Sequence, residues 1–327
     1  MHPAPAETRW AIAADPASGP LVATSVLQLI GNTPMVEIEH IREGVPADVR
    51  IFAKLEGFNP GGSVKDRPAR KMIETGLAAG SLRPGKTIID STSGNTGIAL
   101  AMIGAALGYA VELVMPGNVS AERKRIVAAF GAGVVFSDPL EGSDGAIRLC
   151  REILAADRER YFKPDQYFND ANPLAHFETT GPEIWTQTGG RVTHFVAGIG
   201  TGGTIMGTGR YLKQRNPAVQ VIAAEPEDAF HGLEGLKHMA SSIVPGIYHE
   251  EELDAKLGIG TDDAYDMVYR LARDEGLLVG QSCGAAHVAA LRVARALTGP
   301  ATIVEIFPDF GDRYLSTNLW LGWMEAS

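Results

Sequence analysis

From Val49 onward, short apolar runs alternate with longer helical patterns, and that alternation restricts the chain more than any other feature. Parallel strands cannot be joined by a tight turn, so a strand–helix–strand rhythm predicts an α/β fold with mostly parallel sheets. Strands are expected at 49–54, 87–90, 111–115, 134–136, 193–197, 219–224 and 302–307, with helices at 96–107, 120–130, 147–156, 204–214, 264–274 and 285–297. A break at 157–164 divides the series in two, which predicts two sheets and a cleft between them. In open α/β sheets ligands gather beyond the carboxyl ends of strands. The glycine-rich polar segments of this chain fall at those ends.

Length and charge narrow the function. A chain of 327 residues can bury two cores, and its net charge of -10 without a basic run or interleaved aromatic stripe argues against nucleic acid as a partner. The N-terminal stretch is rich in Ala and Pro and lacks the apolar core of a signal peptide, so a cytoplasmic address is expected. The least polar stretch, 98–115, carries Gly104, Gly108 and Glu112 and reads as a buried helix followed by a strand rather than a membrane span. Cys150 and Cys283 form no CxxC pattern, so neither a disulfide framework nor a zinc site is indicated.

Asn59-Pro60-Gly61-Gly62-Ser63-Val64-Lys65-Asp66-Arg67 breaks an apolar strand into a tight loop and opens a helix, with Lys65 at the junction. A helix N-terminus favours negative charge, so a lysine there calls for an anion or a covalent partner, unless it is simply a solvated surface residue. Two further segments match phosphate-binding expressions. Gly80 to Thr87 fits the Walker A pattern, but it follows a helix and enters a strand, the reverse of the required order. Gly198-Ile199-Gly200-Thr201-Gly202-Gly203 follows a strand and precedes a helix, and Glu225 ends the next strand where a ribose-binding acid would stand. Taken alone it suits a dinucleotide. Physically it is a generic cradle of backbone N–H groups, and the hydroxyls of Thr201 and Thr204 suit a phosphate monoester equally well.

Thr92-Ser93-Gly94-Asn95-Thr96-Gly97 is a donor-lined turn at a helix start, able to hold a carboxylate or a phenolate oxygen or merely to cap its helix. Ser282, between a strand and an Ala-rich helix, offers a hydroxyl or another cap. A lysine, a phosphate cradle, a donor-lined turn and a hydroxyl, in this order, have one economical explanation, which is pyridoxal 5'-phosphate held as a Schiff base by Lys65.

The segments Asn32 to Val36 (NTPMV), Asn59 to Arg67 (NPGGSVKDR), Thr92 to Gly97 (TSGNTG), Asp165 to Tyr167 (DQY), Asn172 to Ile184 (NPLAHFETTGPEI), Gly198 to Thr204 (GIGTGGT) and Phe307 to Thr317 (FPDFGDRYLST) resemble the cysteine synthase and cystathionine β-synthase family over roughly residues 25–320. The resemblance implies two three-layer α/β domains of the tryptophan synthase β-like, fold type II architecture, usually as a homodimer. It divides the chain into an N-terminal arm at 1–23, a smaller domain at 48–160, and a larger domain from 24–47 and 161–327.

By matching position, the resemblance makes Lys65 the cofactor lysine and Asn95 the partner of the ring hydroxyl. Gly200, Thr201, Gly202, Gly203 and Thr204 become the phosphate loop, and Ser282 the hydroxyl facing the pyridine nitrogen. Thr92, Ser93, Thr96 and Gln166 become the substrate-carboxylate site. A hydroxyl opposite the ring nitrogen does not force protonation as an aspartate would, which favours loss of a β-substituent over a long-lived carbanion.

The implied reaction is cysteine formation from O-acetyl-L-serine and sulfide. An O-phosphoserine sulfhydrylase, a cystathionine β-synthase-type enzyme and a catalytically silent homologue are the alternatives. The segments 232–239 and 243–248 resemble the cysteine synthase B branch. Glu227 and Asp228 after Ala224-Glu225-Pro226 would repel a phosphorylated donor, and Lys237 is expected either to hold an anionic sulfur donor such as thiosulfate or to be a solvated loop residue.

Overall fold

The computed structural model describes residues 22–92 and 94–320, so the expected arm at 1–23 lies almost wholly outside the described residues, as does Ser93. Among the described residues ten strands form two sheets. The larger contains β1 (Met35–Glu37), β2 (Val49–Leu55), β7 (His194–Gly198), β8 (Gln220–Pro226), β9 (Ala255–Ile259) and β10 (Ala301–Phe307), in the order β1-β2-β10-β7-β8-β9. Only β1 runs antiparallel to its neighbour. The smaller sheet is all parallel, in the order β5-β4-β3-β6, from β3 (Thr87–Ser91), β4 (Val111–Pro116), β5 (Gly133–Ser137) and β6 (Tyr161–Phe162).

Each sheet is covered on both faces, which is why its inner strands read as nearly unbroken apolar runs. α8 (Thr261–Asp274) and α9 (Gln281–Ala296) cover one face of the larger sheet, while α6 (Gly181–Gln187) and α7 (Gly203–Arg215) lie on the other. α4 (Gly142–Ala156) packs on one face of the smaller sheet around Cys150 and Ile89. On its other face lie α2 (Asn95–Leu107) and α3 (Ala121–Ala129), with α1 (Asp66–Ala78) packed on α2 and on the short α5 (Ala171–Ala175). α2 is apolar nearly all round and buried from Thr96 to Gly104, as a helix enclosed by protein must be. It stops at Gly108, whose φ of +78° is available to glycine at little cost.

Two expected boundaries are corrected. The smaller domain does not begin at 48, because Val49–Leu55 pairs in register with Ala301–Phe307 and so belongs to the larger sheet. Nor does it end at 160, because Tyr161 and Phe162 pair with Thr87 and Ile88 in the smaller sheet. The Walker-like Gly80 to Thr87 is the turn from α1 into β3, with Gly80 and Gly85 both at positive φ.

The topology places the polar loops. β2, β10 and β7 are adjacent and parallel, so the loops after Leu55, Phe307 and Gly198 emerge side by side. In the smaller sheet β3 connects through α2 to β4 on one side, while β6 lies on the other. The segments beyond β3 and β6, carrying Thr92 to Thr96 and Gln166, therefore flank a switch point.

Candidate active site

The loop carrying Lys65 is anchored from behind by a buried ionic cluster. Arg67 donates to Glu56 from Nε and Nη2 at 2.7 and 2.8 Å, to Glu183 from Nη1 and Nη2 at 2.6 and 2.7 Å, and to Thr33 Oγ1 at 3.2 Å. Lys54 Nζ, fully buried, donates to Glu183, Gln187 and the Thr33 carbonyl. Burial opposes ionisation of Glu56, but Arg67 overrides it and lowers the carboxyl to about 2. Ahead of Lys65, the Gly61 N–H donates to Asp66 Oδ2 at 2.5 Å, and desolvation pushes that acid up to about 7. Lys65 itself sits just before α1, its amine shifted downward by burial and held back in part by Asp309 and Glu56.

Lys65 lies at the junction of two adjoining cavities. The inner one is lined by Lys65, Asn95, the loop from Gly198 to Thr204, Ser282 and Asp309. At its base the Gly198–Gly202 loop feeds α7, a thirteen-residue helix whose N-terminus offers unsatisfied N–H groups to an anion. Side chains are excluded here: a Cβ on Gly200 would stand 2.3 Å from the Gly235 carbonyl, and one on Gly203 would stand 1.9 Å from Asn172 Oδ1. Thr204 Oγ1 is 3.3 Å from His176 Nε2, whose Nδ1 meets Thr180 Oγ1 at 2.9 Å. Burial holds His176 neutral, with a pKa near 3, so the ring acts in hydrogen bonding and carries no charge. His176 opens a π-helical turn, His176–Thr180, that the sequence did not disclose.

Ser282 lies within the first turn of α9, after the N-cap Gly280, and faces the inner cavity rather than capping its helix. A Cβ at Gly280 would come within 2.4 Å of Asp309 Oδ1. Asp309 is buried, with Oδ2 accepting from Asn95 Nδ2 at 2.6 Å and from the Tyr314 hydroxyl, and Oδ1 without a hydrogen-bond partner among the described residues. Its burial raises its pKa.

The outer cavity is lined by Lys65, Thr92, Gly94 to Thr96, Arg123, Gln166, Tyr167, Lys237 and Tyr314 among others. Thr92 Oγ1 accepts from the Gly94 and Gly97 N–H groups, which leaves its own proton for a ligand. Thr96 Oγ1 donates to Gln166 Oε1 at 2.7 Å, and Gln166 Nε2 donates to the Ser91 carbonyl at 2.9 Å. Buried Asp90 accepts from the Gln166 N–H, and Asn172 Nδ2 reaches both the Gln166 carbonyl and Thr201 Oγ1, tying the two cavities' loops together.

Lys237 is not a solvated loop residue. It is 7% exposed, donates to Asp144 Oδ1 at 3.1 Å and lies 5.4 Å from the Tyr167 ring centre. Glu227 and Asp228, expected to repel a phosphorylated donor, are exposed and line neither cavity. Arg123, which the sequence did not single out, lines the outer cavity instead, stacked 4.7 Å over Tyr314 and paired with Glu234. Glu225 is occupied by the Met239 N–H and Lys256, so it is no ribose acid.

The donor set fits pyridoxal phosphate. One cavity system contains an anion cradle that excludes side chains, a desolvated primary amine, an amide donor and a hydroxyl.

The family description "Pyridoxal-phosphate dependent enzyme" matches residues 26–309. The chain is 56% identical over 300 residues to a cysteine synthase of Aquifex aeolicus, covering 90% of this chain and 92% of that protein. It is 44% identical over 296 residues to cysteine synthase B of Pseudomonas aeruginosa, covering 90% and 97%. Among solved structures, a cysteine synthase from Entamoeba histolytica superposes with a TM-score of 0.88 at 37% identity, covering 94% of this chain and 93% of the other. An O-acetylserine-dependent cystathionine β-synthase from Helicobacter pylori superposes with a TM-score of 0.87 at 38% identity, covering 92% and 100%.

Proposed function

The chain belongs to the pyridoxal-phosphate-dependent enzymes, and we propose on that premise that it makes L-cysteine by replacing the acetoxy group of O-acetyl-L-serine with sulfide. The observation that carries this reading is the convergence of a desolvated amine, Lys65 Nζ, with the Gly198–Thr204 cradle and the Thr92–Thr96 turn on one cavity system. Gly200 to Thr204 would hold the cofactor's phosphate, Lys65 its carbonyl carbon, Asn95 its ring hydroxyl and Ser282 its pyridine nitrogen. When bound, pyridoxal phosphate supplies the electron sink that lets an amino acid lose its α-proton and then its β-substituent.

The residues divide the remaining work. Burial favours the neutral form of Lys65, so Nζ is fit to take a proton from the substrate α-carbon and later return it. Thr92, Thr96 and Gln166 orient the α-carboxylate, helped by N–H groups at the start of α2. Ser93 belongs to this proposed set by sequence and lies outside the described residues. Lys237 and Arg123 stand on the outer cavity, where they would hold an anionic sulfur donor such as thiosulfate.

Arg123 also favours a second reading, in which O-phosphoserine is the donor and its phosphate meets that guanidinium; its pairing with Glu234 weighs against this. Homodimer assembly and a cytoplasmic address complete the proposal. Exposed Val26 and Leu29 support the former, and two buried free thiols, Cys150 and Cys283, are compatible with a reducing compartment.

Adding O-acetylserine and O-phosphoserine in turn to the purified yellow protein tests the donor. O-acetylserine should bleach the cofactor band, and sulfide should restore it with release of cysteine. A band that responds only to O-phosphoserine would overturn the donor assignment. For the sulfur source, Lys237→Ala should lower kcat/KM with thiosulfate at least tenfold while leaving sulfide use nearly intact; equal efficiency with thiosulfate removes Lys237 from the site.

A further inference from the structure

Arg313 is absent from every role assigned above, yet its guanidinium is wedged between the Lys65 loop and the start of α2. It is 7% exposed, and a Cβ on Gly62 would stand 2.0 Å from its Nη2. Nη2 donates to the Gly61 carbonyl at 2.6 Å, and Nη1 donates to Asn95 Oδ1 at 2.8 Å. Gly61 is held in turn by Asp66, which accepts from its N–H. A chain of contacts therefore runs from Asp66 through Gly61 and Arg313 to Asn95, and on to Asp309.

A guanidinium has donors only. Whatever rotamer the amide of Asn95 could otherwise adopt, its oxygen must face Arg313, so Nδ2 must face the cavity. There it donates to Asp309 Oδ2, and it carries a second proton for an acceptor beside Lys65. With the amide reversed, a carbonyl oxygen would face that acceptor and an oxyanion would be repelled. Withdrawal of electron density by Arg313 through Oδ1 also strengthens the N–H as a donor.

We propose that Arg313 is a positioning residue that fixes the Asn95 amide so that the cavity presents N–H, and never C=O, to the ring oxyanion of the bound cofactor. This rests on the reading that the site takes pyridoxal phosphate. Gly62 belongs to the same device, since any side chain there would occupy the place of the guanidinium.

The test compares pyridoxal phosphate with 3-deoxypyridoxal phosphate, which lacks the ring hydroxyl, by measuring dissociation constants with cofactor-stripped protein in equilibrium dialysis. Wild type should favour the hydroxylated cofactor. Arg313→Met should reduce that preference about tenfold or more, the size of effect expected for a hydrogen bond to a charged acceptor. Arg313→Lys, which keeps the charge but not the fork, should reduce it in part. Asn95→Ala should lose it as fully as Arg313→Met, and the double variant should lose nothing further, because both act through one amide. If Arg313→Met does not fold, Arg313→Lys and Asn95→Ala carry the comparison. Equal weakening toward both cofactors would leave Arg313 a merely structural residue and overturn the proposal. Failure of wild type to bind either would instead overturn the cofactor reading on which it rests.

Discussion

Replacing Glu56 by glutamine keeps the shape of a buried side chain and removes one charge, so it isolates what the ionic cluster behind Lys65 is worth. Glu56 accepts from Arg67 Nε and Nη2, Thr33 Oγ1 and Asn59 Nδ2, at 2.7 to 2.9 Å. Its carboxyl falls from 4.5 to about 2 on folding. At about 1.4 kcal/mol per tenfold change in proton affinity, that fall corresponds to roughly 3 kcal/mol of stability at neutral pH. A second route gives a similar figure. Breaking a buried pair costs about 3 to 5 kcal/mol, and the lower end applies because Arg67 keeps Glu183 as a partner.

The sign follows from the depressed pKa: the contribution is complete above pH 4.5 and is lost as pH falls toward 2. Urea unfolding of wild type and Glu56→Gln, followed by fluorescence from pH 7 down to pH 3, should show a gap of about 3 kcal/mol that narrows on acidification. A gap under about 1 kcal/mol at pH 7, or one that does not narrow, would show that the Glu56 charge does not hold the cluster together.

Lys65→Ala should abolish turnover and the absorption of lysine-bound cofactor, and a normally coloured, active variant would remove Lys65 from the chemistry. Gln166→Ala should weaken amino acid binding about tenfold or more without bleaching the free enzyme, as a spectral titration would read; cofactor loss with unchanged substrate affinity would move the residue to the other ligand. Asp66 tests the opposite linkage. Its carboxyl is raised from 3.8 to about 7, so wild type should lose stability as pH rises between those values, while Asp66→Asn should not. Parallel pH profiles of the two proteins' unfolding free energies would show that the acid does not titrate in the fold.

The alternation of strand and helix was legible because each βαβ unit is local in sequence, and so was the placing of Lys65 and of Gly200–Thr204 at helix starts. β2 was assigned to the wrong sheet because nothing within Val49–Leu55 announces its partner, Ala301–Phe307, far along the chain. β6 is two residues long, too short for a period to register. Asp309, Arg123, Arg313 and His176 were not singled out, since each meets partners brought in from other elements. For Asp309 a signal existed: an acid immediately beyond the carboxyl end of an apolar strand is where ligands of such sheets are met. For Lys237 the sequence left an anion-binding residue and a solvated one both open, because its partners, Asp144 and Tyr167, come from distant elements.

The smaller sheet is threaded into the larger one. The chain leaves the larger sheet at Leu55 and resumes it at His194, and β3 to β6 all lie between. Lys65 stands on the outgoing crossing, and Gln166 follows β6 on the way back. Two-part enzymes commonly keep their hinges far from the chemistry. Here the two crossings between the sheets themselves carry residues of the proposed site. A change in the angle between the two sheets would bend both crossings, and would therefore shift Lys65 and Gln166 with it.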